Sequence, residues 1–463
     1  MRRIIILEAM LALSLAISVR EYEGRGRRLE VYDFREHVKP TKGEHEWSDL
    51  RRVYVAEGVY SPEIVVFPKR DFFEVSTVRG IRVLISDKPP FEFLNPYLMR
   101  RDGWEVFPKV YRLGDDYLAR GKNLFDGSYG WVNREFRVLW KFHYGQGRDF
   151  YPLTLTSLGG GFSTFIITRY DAEPSLKNRM PFRNALLLYD LLNEEELWQV
   201  DVPYGVLSVV SGDVDRDCLD EHMPVFQSGE NGFCCSGATC SGRVQFWIMD
   251  RYGNVLYRKT YWGLFSDVTP YLGDYDADGH PEILIVHTYR YTKDGGALEI
   301  LDPDGWMVRS RYEMEKETPA SVLMDDIDDD GNEEILVGGR KGSLFVFDFE
   351  LNLLKVKDFN LEITGDWDKI DVIPIQSVDF NGDERKEILV ELLLEKFSYR
   401  SPRGSKRKSK YWLELLDDSL NVIKKFEDQI KGAIVDLDGD GVNELVTVGT
   451  KDVEVWKFHR SHP

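Results

Sequence analysis

Asp436-Leu-Asp438-Gly-Asp440-Gly441-Val442-Asn-Glu444-Leu-Val-Thr-Val sets carboxylates at positions one, three, five and nine, a glycine at six, and an apolar β-prone run behind them. Alternate side chains of a tight loop converge on one point, which suits a hard cation that takes about six to eight oxygens. Glycine at six permits the positive φ that wraps the chain around that point. The expected ion is calcium; magnesium retains water and asks for a rigid octahedron.

The stretch recurs. Asp274-Tyr-Asp276-Ala-Asp278-Gly279-His280-Pro-Glu282 and Asp326-Ile-Asp328-Asp-Asp330-Gly331-Asn332-Glu-Glu334 carry the full set. Asp379-Phe-Asn381-Gly-Asp383-Glu384-Arg385-Lys-Glu387 has an amide at three and no glycine at six. Asp213-Val-Asp215-Arg-Asp217-Cys218-Leu-Asp-Glu221 has a cysteine at six. At position seven the ligand would be a backbone carbonyl, from His280, Asn332, Arg385 or Val442. Calcium is expected at the three full-set loops and at up to five in all, more weakly at Asp379 and least certainly at Asp213. Four or three carboxylates in one small loop would otherwise repel one another at neutral pH.

The first positions are 61, 52, 53 and 57 residues apart, and a fixed period of that length means stacked supersecondary units. Each unit reads as four strands: one enters the loop (Ser321–Met324), one leaves it (Ile335–Val337), a third often ends in aspartate (Asp190, Asp250, Asp348), and a fourth follows a short turn. The fold class expected is all-β, a propeller of four-stranded blades. Two decayed copies extend the series: Ser157–Phe165, which has no carboxylate, and Tyr60–Phe67, which repeats only the back half. Residues 70–150 form an insertion, giving seven blades, or a further degenerate blade, giving eight. Three strands are visible in the last unit, and Leu29–Phe34 could supply its fourth.

These residues resemble the FG-GAP repeats of integrin α-subunit β-propellers, over roughly residues 50–458. The resemblance implies calcium in the loop between the first two strands of a blade. It also implies extracellular adhesion or ligand binding, with enzymes a minority.

The formal net charge of −19 equals in size the 19 candidate ligand carboxylates of the five loops, so the acidity reads as a metal signature. A nucleic-acid binder would show a net basic domain. Met1-Arg2-Arg3 followed by the apolar run Ile4–Val19 (residues 1–19) reads as an export signal or membrane anchor. Glu8 in that run also resembles the N-terminus of type IV pilin-like proteins, which would make the chain a filament subunit. Residues 20–50 read as a spacer and 51–463 as the propeller. Cys218, Cys234, Cys235 and Cys240 fall in one segment and are expected as two disulfides, in either of two pairings, in an exported protein; their spacing does not suit zinc. Tyr399–Lys410 is a basic run, read as a solvated hairpin loop or an anion contact through Arg403, Lys406, Arg407 and Lys408.

The eight histidines lack metal spacing, and no nucleophile elbow or phosphate loop is present, so no catalytic residue is assigned. The function expected is a non-catalytic, calcium-binding, cell-surface adhesion or interaction module with a protein or glycan ligand. The alternative is a polysaccharide lyase-like enzyme, whose acid–base groups would converge away from the metal loops.

Overall fold

The computed structural model describes residues 20–24, 27–31 and 40–458, apart from 58–62, 66–71, 77–80, 87–92, 99, 102–103, 114–115, 124, 126–127, 134–137, 143–147, 159–160, 172–181, 191–194, 203–204, 216, 218, 228–242, 263–266, 276–280, 290–294, 304, 362–366, 399–405, 437–439 and 450–451. Both the apolar N-terminal segment and the cysteine cluster lie outside the described residues. Among those described, no helix is long and apolar enough to cross a membrane.

The fold is all-β, a propeller of four-stranded antiparallel blades. The chain divides into two compact units, one built mainly from Arg100–Thr318 and the other from Tyr32–Met99 with Pro319–Pro463. In the first unit three consecutive meanders follow chain order: Arg148–Leu158 to Glu195–Val202, Gly205–Gly212 to Val255–Trp262, and Asp267–Gly273 to Met307–Glu315. A seven-stranded sheet precedes them, in which Arg27–Val31 pairs with Arg20–Gly24 and with Trp104–Leu113.

The second unit holds the meanders Pro319–Asp325 to Leu353–Asp358 and Lys369–Val378 to Val422–Glu427. Its third sheet takes Gln429–Val435, Glu444–Gly449 and Asp452–Phe458 from the C-terminal end and Leu50–Glu57 from far upstream. Its fourth sheet is Glu63–Val65, Phe72–Ser76, Ile81–Ser86 and Phe93–Leu98. Residues 70–147 therefore contribute strands to two sheets, and the described residues form eight sheets in all.

Two expectations change. The borrowed strand is Leu50–Glu57, not Leu29–Phe34, because Leu29 and Glu30 are already paired with Leu113 and Arg112. Leu50 is buried in one cluster with Val378, Phe380, Leu413 and Phe458, which a charged-looking run (Leu-Arg-Arg-Val) does not advertise. Glu63–Val65 opens its sheet instead of following a loop as second strand, so the match of Tyr60–Phe67 to a loop's back half is one of residue types only.

Burial explains the strand types. Second strands are buried on both faces: every residue of Glu334–Gly339 and of Glu444–Gly449 is buried, which matches their continuous apolar runs. Outer strands alternate, as in Val255–Trp262, whose even positions are exposed. Third-strand aspartates end their strands for a reason. Asp250, Asp348 and Asp417 each accept, on one oxygen, backbone N–H groups of the turn and, on the other, the side-chain amide of Asn254, Asn352 or Asn421.

Candidate metal centres

The loops between first and second strands share one internal construction. The glutamate at position nine is buried and opens the second strand. Its Oε2 accepts the backbone N–H of position two: Val214 to Glu221 (3.0 Å), Tyr275 to Glu282 (2.9 Å), Ile327 to Glu334 (2.8 Å) and Phe380 to Glu387 (2.9 Å). That bond closes the loop onto the start of the second strand. The residue at two is itself a core side chain (Val214, Tyr275, Ile327, Phe380), so the loop is anchored at both ends.

Position one holds the turn. Asp326 accepts the N–H groups of Asp330 (3.0 Å) and Gly331 (2.9 Å), Asp379 those of Gly382, Asp383 and Glu384, and Asp436 that of Gly441 (2.9 Å). Position five accepts the N–H of position seven: Leu219 to Asp217, Asn332 to Asp330, Arg385 to Asp383 and Val442 to Asp440, at 2.8 to 3.0 Å. Position six has positive φ in each loop where it is described, +95° at Gly331 and +88° at Gly441. Glu384 takes +69° without being glycine, a strained choice at the position where the sequence lacks one.

Two loops bring three carboxylates together. Oxygens of Asp213, Asp215 and Glu221, and of Asp326, Asp328 and Glu334, lie within 4.8 Å of one another. These are positions one, three and nine, and either set could hold a metal ion. Asp217 and Asp330 at five lie beside these sets, engaged with the amide at seven. The Asn332 side chain bonds Asp330, which leaves its carbonyl as the group for an ion. In the Asp379 loop the Asn381 amide donates to Asp383 (3.1 Å). Asp276, Asp278, His280 and Asp438 lie outside the described residues, as do Cys218 and the Gly159–Gly160 turn of the carboxylate-free copy.

The Asp436 loop differs in its neighbours. Lys457, on the third strand, places its ammonium 3.1 Å from Asp440 Oδ2 and 2.5 Å from Glu444 Oε1. The segment 40–49 lies across this loop and the Asp379 loop. Lys42 N–H donates to Gly441 O (2.7 Å), Thr41 N–H to Asp379 O (3.0 Å), His45 N–H to Asn381 O (2.8 Å), and Asn443 N–H to Thr41 Oγ1 (3.1 Å). Trp47 packs on Phe380 and Phe458, and His45 stacks on Phe458 at 5.2 Å. No residue pattern marks this strap, because its contacts are mostly backbone.

Electrostatics mark the loops as short of positive charge. Burial, aided by the neighbouring aspartates, pushes Glu221 and Glu334 up to about 7 and Glu387 up to about 8. A carboxyl whose folded pKa is raised contributes stability that is complete below its unfolded value and is lost as pH rises through the folded one. In chelator, thermal melts should therefore fall in temperature as pH rises from about 4.5 to about 8, and calcium should remove that decline. A metal-free protein that grows more stable over this range would contradict the geometry.

A second polar constellation is centred on Glu299, opposite Ile285 in the Asp274 sheet. Glu299, fully buried, accepts Tyr261 Oη (2.7 Å) and Lys259 Nζ (2.6 Å) and pairs with Arg311. His287 lies between Tyr261 and Tyr289, with ring centroids at 4.6 and 4.5 Å. Tyr, His, Lys and Arg do converge here, as the enzyme alternative requires. Both proton carriers are held away from neutrality, however. Burial and the Glu299 charge raise the Tyr261 hydroxyl, and burial lowers His287 to about 4. The acid is matched by two cations, which makes this a buried ion network of the kind that fixes packing.

The basic run divides. Lys406–Leu416 is a strand paired with Glu387–Ser398, so its end is not a loop; Arg403 lies outside the described residues. Lys408 and Lys410 are exposed, and their ammoniums lie over Trp367 (5.4 Å) and Trp412 (5.0 Å).

No protein-family model matches the chain, and no curated protein matches it. Among solved structures it is similar to BamB from Moraxella catarrhalis (12% identity, TM-score 0.47, covering 89% of this chain and 99% of that one). It is also similar to the Dos1 propeller (12%, 0.47, 91% and 98%) and to a Bacillus licheniformis rhamnogalacturonan lyase (11%, 0.38, 87% and 91%). Likenesses this remote say nothing about function. The propeller class rests on the strand order described above.

Proposed function

We propose that this chain is an FG-GAP-type propeller that binds calcium in its first-to-second strand loops and acts, outside the cytoplasm, as a non-catalytic interaction module for a protein or glycan. The observation that carries the metal reading is the repeated buried glutamate at position nine, whose Oε2 closes the loop and which joins the aspartates of positions one and three in the Asp213 and Asp326 loops. Calcium suits this set because it accepts irregular oxygen cages made of carboxylates and carbonyls. The Asp213 and Asp326 loops are the best supported, with three carboxylates already convergent. Asp274 with Glu282 follows the same plan, and Asp379 gives up one charge to Asn381.

The interaction half of the proposal rests on the resemblance and on the exposed Lys408 and Lys410, over Trp367 and Trp412, which suit an acidic partner such as a uronate-containing glycan. Calorimetric titration with calcium and, separately, magnesium tests the metal reading. Calcium should bind with heat, Asp326→Asn should remove one equivalent, and magnesium should bind far more weakly. A titration without binding heat for either ion would overturn it.

A further inference from the structure

In each repeat the glutamate at position nine opens the second strand, and the residue opposite closes the third. The register is the same throughout: Ile283 faces Leu301, Ile335 faces Phe347, Ile388 faces Leu416 and Leu445 faces Trp456. One step along, Glu282, Glu334 and Glu387 meet Asp302, Asp348 and Asp417. His222 facing Met249 puts Glu221 opposite Asp250 in the same way. Like charges opposite one another on paired strands are unfavourable. Asp250, Asp348 and Asp417 have both oxygens committed to their own turns and bring no positive charge. In these sheets any cation for the glutamate must come from outside the pair.

The last sheet breaks the rule. Its fourth strand is Leu50–Glu57, so the third strand is not joined to the fourth by a turn and no aspartate is needed to cap one there. The position opposite Glu444 is Lys457. Its ammonium lies 2.5 Å from Glu444 Oε1 and 3.1 Å from Asp440 Oδ2, with the glutamate side chain fully buried. A second ammonium is close: the Lys42 side chain lies over Gly441, near enough that a methyl there would be 2.9 Å from its Nζ.

We propose that Lys457 is the resident cation of the Asp436 loop, standing between the carboxylates of positions five and nine where the sibling loops take calcium. The loop with one of the most complete ligand sets in the sequence is thereby the weakest calcium site of the five. The inference rests on the calcium reading of the sibling loops, and the Asp326 loop serves as its control.

Native mass spectrometry and calorimetry of the full chain titrated with calcium chloride test it. Asp326→Asn should cost one equivalent and Asp436→Asn none. Lys457→Met should add one equivalent, tightening the Asp436 loop by about tenfold or more, the scale of one charge-assisted contact. That gain should vanish in Lys457→Met combined with Asp436→Asn, and Lys457→Arg, which keeps the charge, should not produce it. Loss of an equivalent in Asp436→Asn with Lys457 present would overturn the proposal while leaving the calcium reading intact. It would do so even if Lys457→Met failed to fold. No binding to any variant would remove the calcium reading and this proposal together.

Discussion

In millimolar calcium the protein should melt well above its melting temperature in chelator, and Glu334→Gln should reverse sign between the two conditions. An ion that binds only the folded loop stabilises by mass action, about 2.7 kcal/mol per site when calcium is about a hundredfold above its dissociation constant. Several filled loops acting together make this the largest single effect expected. Glu334→Gln separates the metal from the loop's own hydrogen bonds. The amide oxygen can still accept the Ile327 N–H, so the closure survives. In chelator at pH 8 the substitution removes a buried charge that burial already pushes towards protonation, and the variant should be at least as stable as the parent. In calcium the same substitution removes a ligand, and the variant should be less stable by a large part of one site's contribution. Glu334→Ala should be worse in both, because a buried N–H left without a partner costs about 1–3 kcal/mol. Melting curves that ignore calcium and chelator alike would overturn the metal reading.

Much of this could be read beforehand, and the residues show why. Asp326–Glu334 is legible because its functional groups are local: nine residues carry the turn, the carboxylates and the start of the next strand. The third-strand aspartates were visible as a recurrence, and their hydrogen bonds to Asn254, Asn352 and Asn421 give the cause. What escaped was non-local. Lys457 reads as an ordinary strand lysine until the register places it opposite Glu444. The 40–49 strap works through backbone N–H groups of Thr41, Lys42 and His45, which every sequence offers. Leu50–Glu57 is hard to tell from Leu29–Phe34 in the sequence because outer strands bury one face and carry a weak pattern. An indole signal was also missed. Trp247, Trp412 and Trp456 each donate to a polar side chain two residues away on the same strand, namely Gln245, Glu414 and Glu454. These pairs span the repeats but have no fixed order, since Trp412 precedes its partner and the other two follow theirs.

The loops and the sheets divide the work between them. Second strands such as Glu334–Gly339 are wholly buried, so the first ligand-bearing residue after each turn is fixed by the core. Positions two and nine are held by the core, and the loops differ from one another at positions three to seven. That arrangement lets one scaffold carry loops of different charge, from the three convergent carboxylates at Asp326 to the Asp436 loop with Lys457 against Asp440 and Glu444.

Gly338→Ala should be more damaging than the same change at Gly432 or Gly305. Gly338 lies in the buried strand Glu334–Gly339. A Cβ there would sit 1.8 Å from Val372 O, 2.7 Å from Val372 C and 2.8 Å from Pro374 Cδ on the neighbouring sheet's Lys369–Val378. The obstacle is backbone, which no rotamer change can move aside. Overpacking of a tight core costs about 1–3 kcal/mol, and the upper end is expected where strands must separate. Separation would also break the joint between the two sheets, in which Ile370 N–H donates to Arg340 O (2.9 Å) and Gly342 N–H to Ile370 O (3.0 Å). Gly432→Ala should cost less, because its nearest obstacles are the methyl tips of Leu413 and Leu389, which can turn. Gly305→Ala in the first unit meets nothing within 4 Å and should cost only the strain of φ +97°, about 1 kcal/mol. Urea denaturation of the three variants, with hydrogen exchange read at Ile370 and Gly342, tests the ranking. Gly338→Ala should lose protection at both amides along with stability. If it unfolds no earlier than Gly305→Ala, the two sheets are not in the close contact described.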